Sequence, residues 1–122
     1  LKYLFATVFK ILKQIPTNDK LKLLNSIQKS GITNIELTSF VSPKAIPQFY
    51  DSDIISNVLN EKEKEKEKEF NSINYSCLVP NEKGMHKAIQ YNYKEVAIFT
   101  SPSDDFNKKN INCSVDDSFI RF

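Results

Sequence analysis

Apolar positions after Pro16 and Thr17 recur with helical spacing: Leu21, Leu24 and Ile27 form one stripe, and Leu23 widens it. Thr17 is the expected N-cap of this helix, with Asp19 in the first turn facing the positive end of the dipole. Gly31 is placed just past the helix end, where a left-handed residue is wanted. The pattern then changes. Asn34-Ile35-Glu36-Leu37-Thr38-Ser39-Phe40 reads as a short strand, and Pro43 and Pro47 impose a loop after it. From Ser52 to Leu59 a helical face returns in Ile54, Ile55, Val58 and Leu59. Further strands are expected at Asn74–Val79 and Glu95–Thr100, separated by a short helix marked by Met85, Ala88 and Ile89. Pro102 and the acidic Ser103-Asp104-Asp105 open a turn or helix, and Ser114 can cap a last helix carrying Val115, Phe119 and Phe122.

Helices and strands in alternation indicate parallel strands joined by crossover helices. The expectation is an α/β layer of three strands, with room for a fourth in residues 1–9, built as a small open sheet or as part of a barrel. Residues 1–14 form a divergent apolar and basic start, with Lys2, Lys10 and Lys13 as the only charges. They read either as a buried strand or helix or as the tail of an acid-poor amphipathic targeting segment. At residues 61–69 the run EKEKEKEKE places Glu and Lys three apart, each such pair worth about 0.2–0.5 kcal/mol on a helix surface. With no apolar stripe, the run is a solvated helical extension, a loop insertion or a partner-binding segment.

Composition removes several classes of function. The 122 residues suit one domain, and a net charge of +2 is too small for a nucleic-acid surface. No run of 18 apolar residues is present, so no membrane-spanning helix is expected. Two glycines are far below the usual share of about 7%, and no glycine-rich phosphate cradle occurs. Cys77, Cys113 and the single histidine, His86, cannot make up a usual zinc set. The two cysteines are expected as reduced thiols, His86 on the surface, and Cys113 in a polar loop beside Lys108 and Lys109.

In βα units, chemistry gathers at the C-terminal ends of the strands. That rule points to Glu36, Thr38 and Ser39, to Pro80-Asn81 with Lys83, and to Thr100-Ser101. Glu36 interrupts an apolar strand. It either faces a barrel interior, where a lone carboxylate is costly unless paired or metal-linked, or points to solvent from an edge strand.

Residues 35–44, Ile-Glu-Leu-Thr-Ser-Phe-Val-Ser-Pro-Lys, closely resemble the IE-x-TSFVSPK signature of 3-hydroxy-3-methylglutaryl-CoA lyases. Pro47-Gln48, Ile73-Asn74-Tyr75, Pro80-Asn81-x-Lys83-Gly84, Lys94–Phe99 and Lys108–Ser114 continue the match, as do Ser118-Phe119 and Arg121-Phe122. The resemblance covers residues 15–122, broken only around the EK-rich insertion at 61–69. It implies part of a (β/α)8 TIM barrel. It also implies the family reaction, cleavage of 3-hydroxy-3-methylglutaryl-CoA to acetyl-CoA and acetoacetate in leucine catabolism and ketone-body formation. There a divalent cation, Mg2+ or Mn2+, binds the substrate oxygens. A base takes the hydroxyl proton, the C–C bond breaks and the enolate is reprotonated.

By resemblance Glu36 is the active-site glutamate and Ser39 a substrate-binding serine beside it, the substrate being an acyl-CoA. Asn110 and Cys113 lie in a matched motif with no assigned step. The family's GPRDGLQNEK pattern has no counterpart: its Arg and metal-binding Asp fall at Phe5 and Ala6, and residues 1–18 hold no Arg, Asp or Glu. Its histidine ligands, cysteine loop and asparagine ligand belong to later strands. The chain is therefore expected to be an inactive fragment or degenerate copy that binds no cation by itself. The alternatives are a non-catalytic half-barrel associating with a second chain, or an interaction module using the EK run. The family implies a mitochondrial location, with cytoplasm or peroxisome as alternatives.

Overall fold

The computed structural model describes residues 14–64 and 73–122. The elements, in chain order, are α1 (Thr17–Lys29), β1 (Asn34–Ser39), a 3-10 turn (Pro47–Phe49), α2 (Ser52–Lys64), β2 (Asn74–Leu78), α3 (Glu82–Gln90), β3 (Glu95–Ala97), α4 (Asp104–Ile111) and α5 (Val115–Arg121). Both strand pairings are parallel, in the order β1-β2-β3. The expected α/β layer is present, and its three strands fit part of a barrel. The fourth strand expected in residues 1–9 lies outside the described residues. So do residues 65–69 of the EK run, whose first four residues continue α2.

Helix ends follow their local chemistry. Gly31 has φ +81 just beyond α1, the left-handed conformation that a Cβ would strain. Asn81 caps α3 by accepting the Gly84 N–H at 3.1 Å. Ser114 and Asp117 form a reciprocal capping box on α5. The sequence expectation fails at Thr17. The residue preceding α1 is Pro16, which makes no side-chain cap. The Thr17 hydroxyl is used elsewhere, donating to Asp51 Oδ2 at 2.8 Å.

The core lies on the helix side of the sheet, in two clusters. Leu24 of α1, Leu59 of α2 and Tyr75 of β2 pack with Ile35 and Leu37. Phe40, Cys77, Val79, Ala88 and Tyr91 form the second, with Phe40 stacked on Tyr91 at 6.0 Å and meeting Tyr93 edge-on at 6.1 Å. Gly84 lets α3 approach closely: a Cβ there would meet Pro80 Cδ at 3.1 Å and Phe40 Cβ at 3.3 Å. Five apolar residues depart from their expected positions, Leu23 and Phe122 among them. Ile54 and Ile89 are exposed, as is Phe119 at 70%, so the inward faces of α2, α3 and α5 are narrower than the periodicity implies. β3 ends at Ala97 rather than Thr100. The two residues after Phe99 turn away because Asn107, fully buried, holds them: its Nδ2 donates to Thr100 Oγ1 and to Ser101 O, both at 3.0 Å, and its Oδ1 accepts the Ser101 N–H at 2.9 Å.

Candidate active-site mouth

Strand alternation sorts β1 and β2 into two faces. Ile35, Leu37, Tyr75 and Cys77 serve the helix side, whereas Asn34, Glu36 and Asn74 lie exposed on the other face, with Ser76 buried between its neighbours there. Glu36 is exposed and stands opposite Ser76 in register. Asn74 bridges to Glu95 through its amide, so a polar row crosses all three strands on this face. In a closed barrel this is the interior surface.

The register shifts between Glu36 and Thr38. Past that irregularity Thr38 and Ser39 are both buried. Thr38 Oγ1 donates to Ser52 Oγ at 2.9 Å, and Ser52 Oγ lies 2.8 Å from the carbonyls of Ser39 and Phe49. Ser39 Oγ accepts the Val41 N–H at 3.2 Å, and among the described residues no acceptor takes its own proton. The loop after β1 is tied down by a buried ion pair. Lys20 Nζ meets Asp51 Oδ1 at 2.7 Å, with Asp51 1% exposed, and the same ammonium bonds the Gln48 carbonyl. Glu36, Thr38, Ser39, Gln48 and Asp51 all border one groove of about 430 Å³.

The other expected positions have structural duties. Asn81 is a helix cap, and Thr100 and Ser101 belong to the Asn107 network. His86 is exposed on α3, as expected. Cys113 is buried, not in an open polar loop: Asn112 takes a left-handed conformation (φ 53) that turns the chain inward after α4. Both cysteines are free thiols. Sequence reasoning missed Lys20 and Asp51. Neither type nor spacing distinguishes them from surface residues, and only the tertiary fold pairs them.

Burial pushes the Cys77 thiol up to about 12, and the nearby Glu36 carboxylate adds to the shift. At pH 8 its thiolate is then about one molecule in 10,000. Alkylation of the folded chain by iodoacetamide at pH 8 is expected to leave Cys77 unmodified until denaturant is added. The same raised value means the folded state holds its proton more tightly. Stability is thus full below about pH 9 and declines as pH rises from there toward 12.

Among the described residues no group of three His, Cys, Asp or Glu side chains converges to hold a metal ion. Glu36 is a single carboxylate, and Asp51 is consumed by Lys20 and Thr17. These residues do not fit a divalent cation. No helix among the described residues is long and apolar enough to cross a membrane.

No protein-family model matches the chain. It is 42% identical over 109 residues to the mitochondrial hydroxymethylglutaryl-CoA lyase of Rattus norvegicus, a match covering 88% of this chain and 31% of that protein. A cytoplasmic 3-hydroxy-3-methylglutaryl-CoA lyase of the same organism is 34% identical over 108 residues, covering 88% of this chain and 29% of that protein. Among solved structures, the HMG-CoA lyase of Brucella melitensis superimposes with a TM-score of 0.76 at 35% identity, covering 95% of this chain and 38% of that one. An HMG-CoA lyase from Acinetobacter baumannii, solved with coenzyme A and 3-methylmalate, gives 0.76 at 32% identity, covering 93% of this chain and 35% of that one. The homologues of this chain are HMG-CoA lyases, and it spans about a third of the length of the curated relatives it matches.

Proposed function

We propose that these residues form one wedge of a lyase barrel acting on an acyl-CoA, with Glu36 the group that exchanges a proton with the substrate and Ser39 a donor beside it. The observation that carries this reading is the placement of Glu36. Within a stretch resembling the lyase signature, it is the carboxylate of β1, exposed on the uncovered face three residues before the strand's C-terminal end. Cleavage of 3-hydroxy-3-methylglutaryl-CoA requires loss of the tertiary hydroxyl proton as the C–C bond breaks. The electron pair goes to the acetyl-CoA fragment as an enolate, which then takes up a proton. A carboxylate at the mouth can accept or relay such a proton. The Ser39 hydroxyl, fixed as acceptor to Val41, has its proton left to give.

The segment alone does not complete this site. The one arginine, Arg121, is bonded to the Ile111 carbonyl, and among the described residues no cation-binding group of three ligands is assembled. Exposed Phe119 (70%) and Ile120 (86%) on α5 offer further apolar surface to a neighbouring part of a barrel. The part of the relatives' length outside the match supplies such a neighbour, and an associated second chain is the other candidate. The compartment is that of one of the matched relatives, mitochondrial or cytoplasmic.

The test is an assay of the isolated chain with 3-hydroxy-3-methylglutaryl-CoA and either Mg2+ or Mn2+, following acetoacetate. No turnover above the uncatalysed background is expected. Clear turnover would show that a complete site lies within these residues and would end the reading.

A further inference from the structure

Three buried hydroxyl groups meet where β1 ends, and their protons are disposed of differently. Thr38, Ser39 and Ser52 are all shielded from solvent. A hydroxyl has one proton to give and can also accept. Thr38 Oγ1 gives its proton to Ser52 Oγ at 2.9 Å. Ser52 Oγ turns its own toward the carbonyls of Ser39 and Phe49, each 2.8 Å away. Both protons are thereby committed within the protein. Ser39 Oγ only accepts, from the Val41 N–H at 3.2 Å, so of the three its proton alone has no acceptor among the described residues.

Ser52 is the hub of this arrangement. It opens α2, and from there it reaches the strand end at Thr38 and Ser39 and the loop end at Phe49. Ser39 is consequently held twice, at its carbonyl by Ser52 and at its Oγ by the Val41 N–H. An apolar side chain at position 52 would leave two buried carbonyls and the Thr38 hydroxyl without this partner.

The next turn of α2 supplies a contrast. Ser56 is fully buried as well, and its Oγ donates to the Ser52 carbonyl at 2.8 Å, with the Tyr93 hydroxyl 2.9 Å away. It engages the backbone of Ser52 and not its hydroxyl, and it makes no bond to β1.

We propose that Ser52 is a positioning residue for Ser39, its hydroxyl anchoring the end of β1 so that Ser39 presents its spare proton to the substrate. This rests on the reading of Ser39 as the donor beside Glu36. Ser52 itself does not touch the substrate, since it is buried and its proton is committed.

The experiment has two arms. In the full chain, amide exchange is followed residue by residue by NMR. Ser52→Ala is expected to speed exchange of the Val41 N–H about 10-fold while the amides of α3 keep their protection. Ser52→Thr retains the hydroxyl and should leave Val41 as in the parent. Ser52→Cys, close in size but a weaker donor, should fall between. Ser56→Ala removes an equally buried hydroxyl and should leave Val41 unchanged. If Ser52→Ala and Ser56→Ala loosen Val41 and α3 alike, Ser52 is structural only and the proposal fails. It fails too if Val41 exchanges equally in the Ser, Cys and Ala forms.

The second arm uses a lyase whose corresponding third is replaced by residues 15–122 of this chain. Ser52→Ala should lower kcat/KM about 10-fold there, yet cost nothing further once Ser39→Ala is present. Equal losses with and without the Ser39 hydroxyl overturn the proposal and leave the role of Ser39 intact. A Ser39→Ala chimera as active as its parent ends the reading of Ser39, and the proposal with it.

Discussion

Glu36→Gln is expected to lower the turnover of 3-hydroxy-3-methylglutaryl-CoA by about 100- to 10,000-fold in a lyase whose corresponding third has been replaced by residues 15–122 of this chain. The comparison is with the same chimera carrying Glu36. Glutamine keeps the size and the hydrogen-bonding reach of the side chain but cannot take a proton, so the loss should fall on kcat, with KM changing far less. The chimera is the right vehicle, because no cation-binding group is assembled beside Glu36 among the described residues. A Glu36→Gln chimera that turns over as fast as its parent would remove Glu36 from the chemistry. A purely structural role is a poor alternative for this residue, since its side chain is exposed and faces away from both core clusters.

Asp51→Ala should have the largest effect on stability, a loss of about 3–5 kcal/mol. The carboxylate is 1% exposed, and its two oxygens are taken by Lys20 at 2.7 Å and Thr17 at 2.8 Å. Removing it leaves the Lys20 ammonium, whose side chain is 19% exposed, largely desolvated and without its counter-charge. It also releases the start of α1 from the loop that follows β1. Domains of this kind hold about 5–15 kcal/mol in total, so the variant should unfold at a much lower urea concentration than the parent. Lys20→Met combined with Asp51→Leu removes both charges and should recover most of the loss, because no unpaired ion remains. An Asp51→Ala midpoint indistinguishable from the parent would show that the pair contributes nothing net.

Most of the layer order was legible in the residues because local rules and tertiary structure agree. The α1 stripe, the left-handed glycine after it, the Asn81 and Ser114 caps and the β1 and β2 segments all appear where pattern and capping place them. What escaped depends on distant partners. Thr17 looks like a cap from its neighbours, yet Asp51, across the fold, competes successfully for its hydroxyl. Ile54 and Ile89 fit helical stripes but have nothing opposite them among the described residues. Cys113 sits in a polar stretch of sequence, and only the turn at Asn112 reveals that it points inward. At the mouth, Glu36 and Ser39 were marked by strand position and by resemblance. The ion pair that anchors the loop behind them carries no such mark, since its members lie on different elements and are of ordinary surface type.

The irregularity in β1 has its own consequence. In an evenly pleated strand, positions 36 and 38 would share one side. Because pairing slips between them, the threonine hydroxyl is handed to the first turn of α2 and the acid keeps the open side to itself. A deletion at Leu37 would restore even pleating and still leave Glu36 opposite Ser76 and Thr38 opposite Cys77, so one inserted backbone unit is what lets an acid and a hydroxyl two positions apart take opposite sides of the sheet.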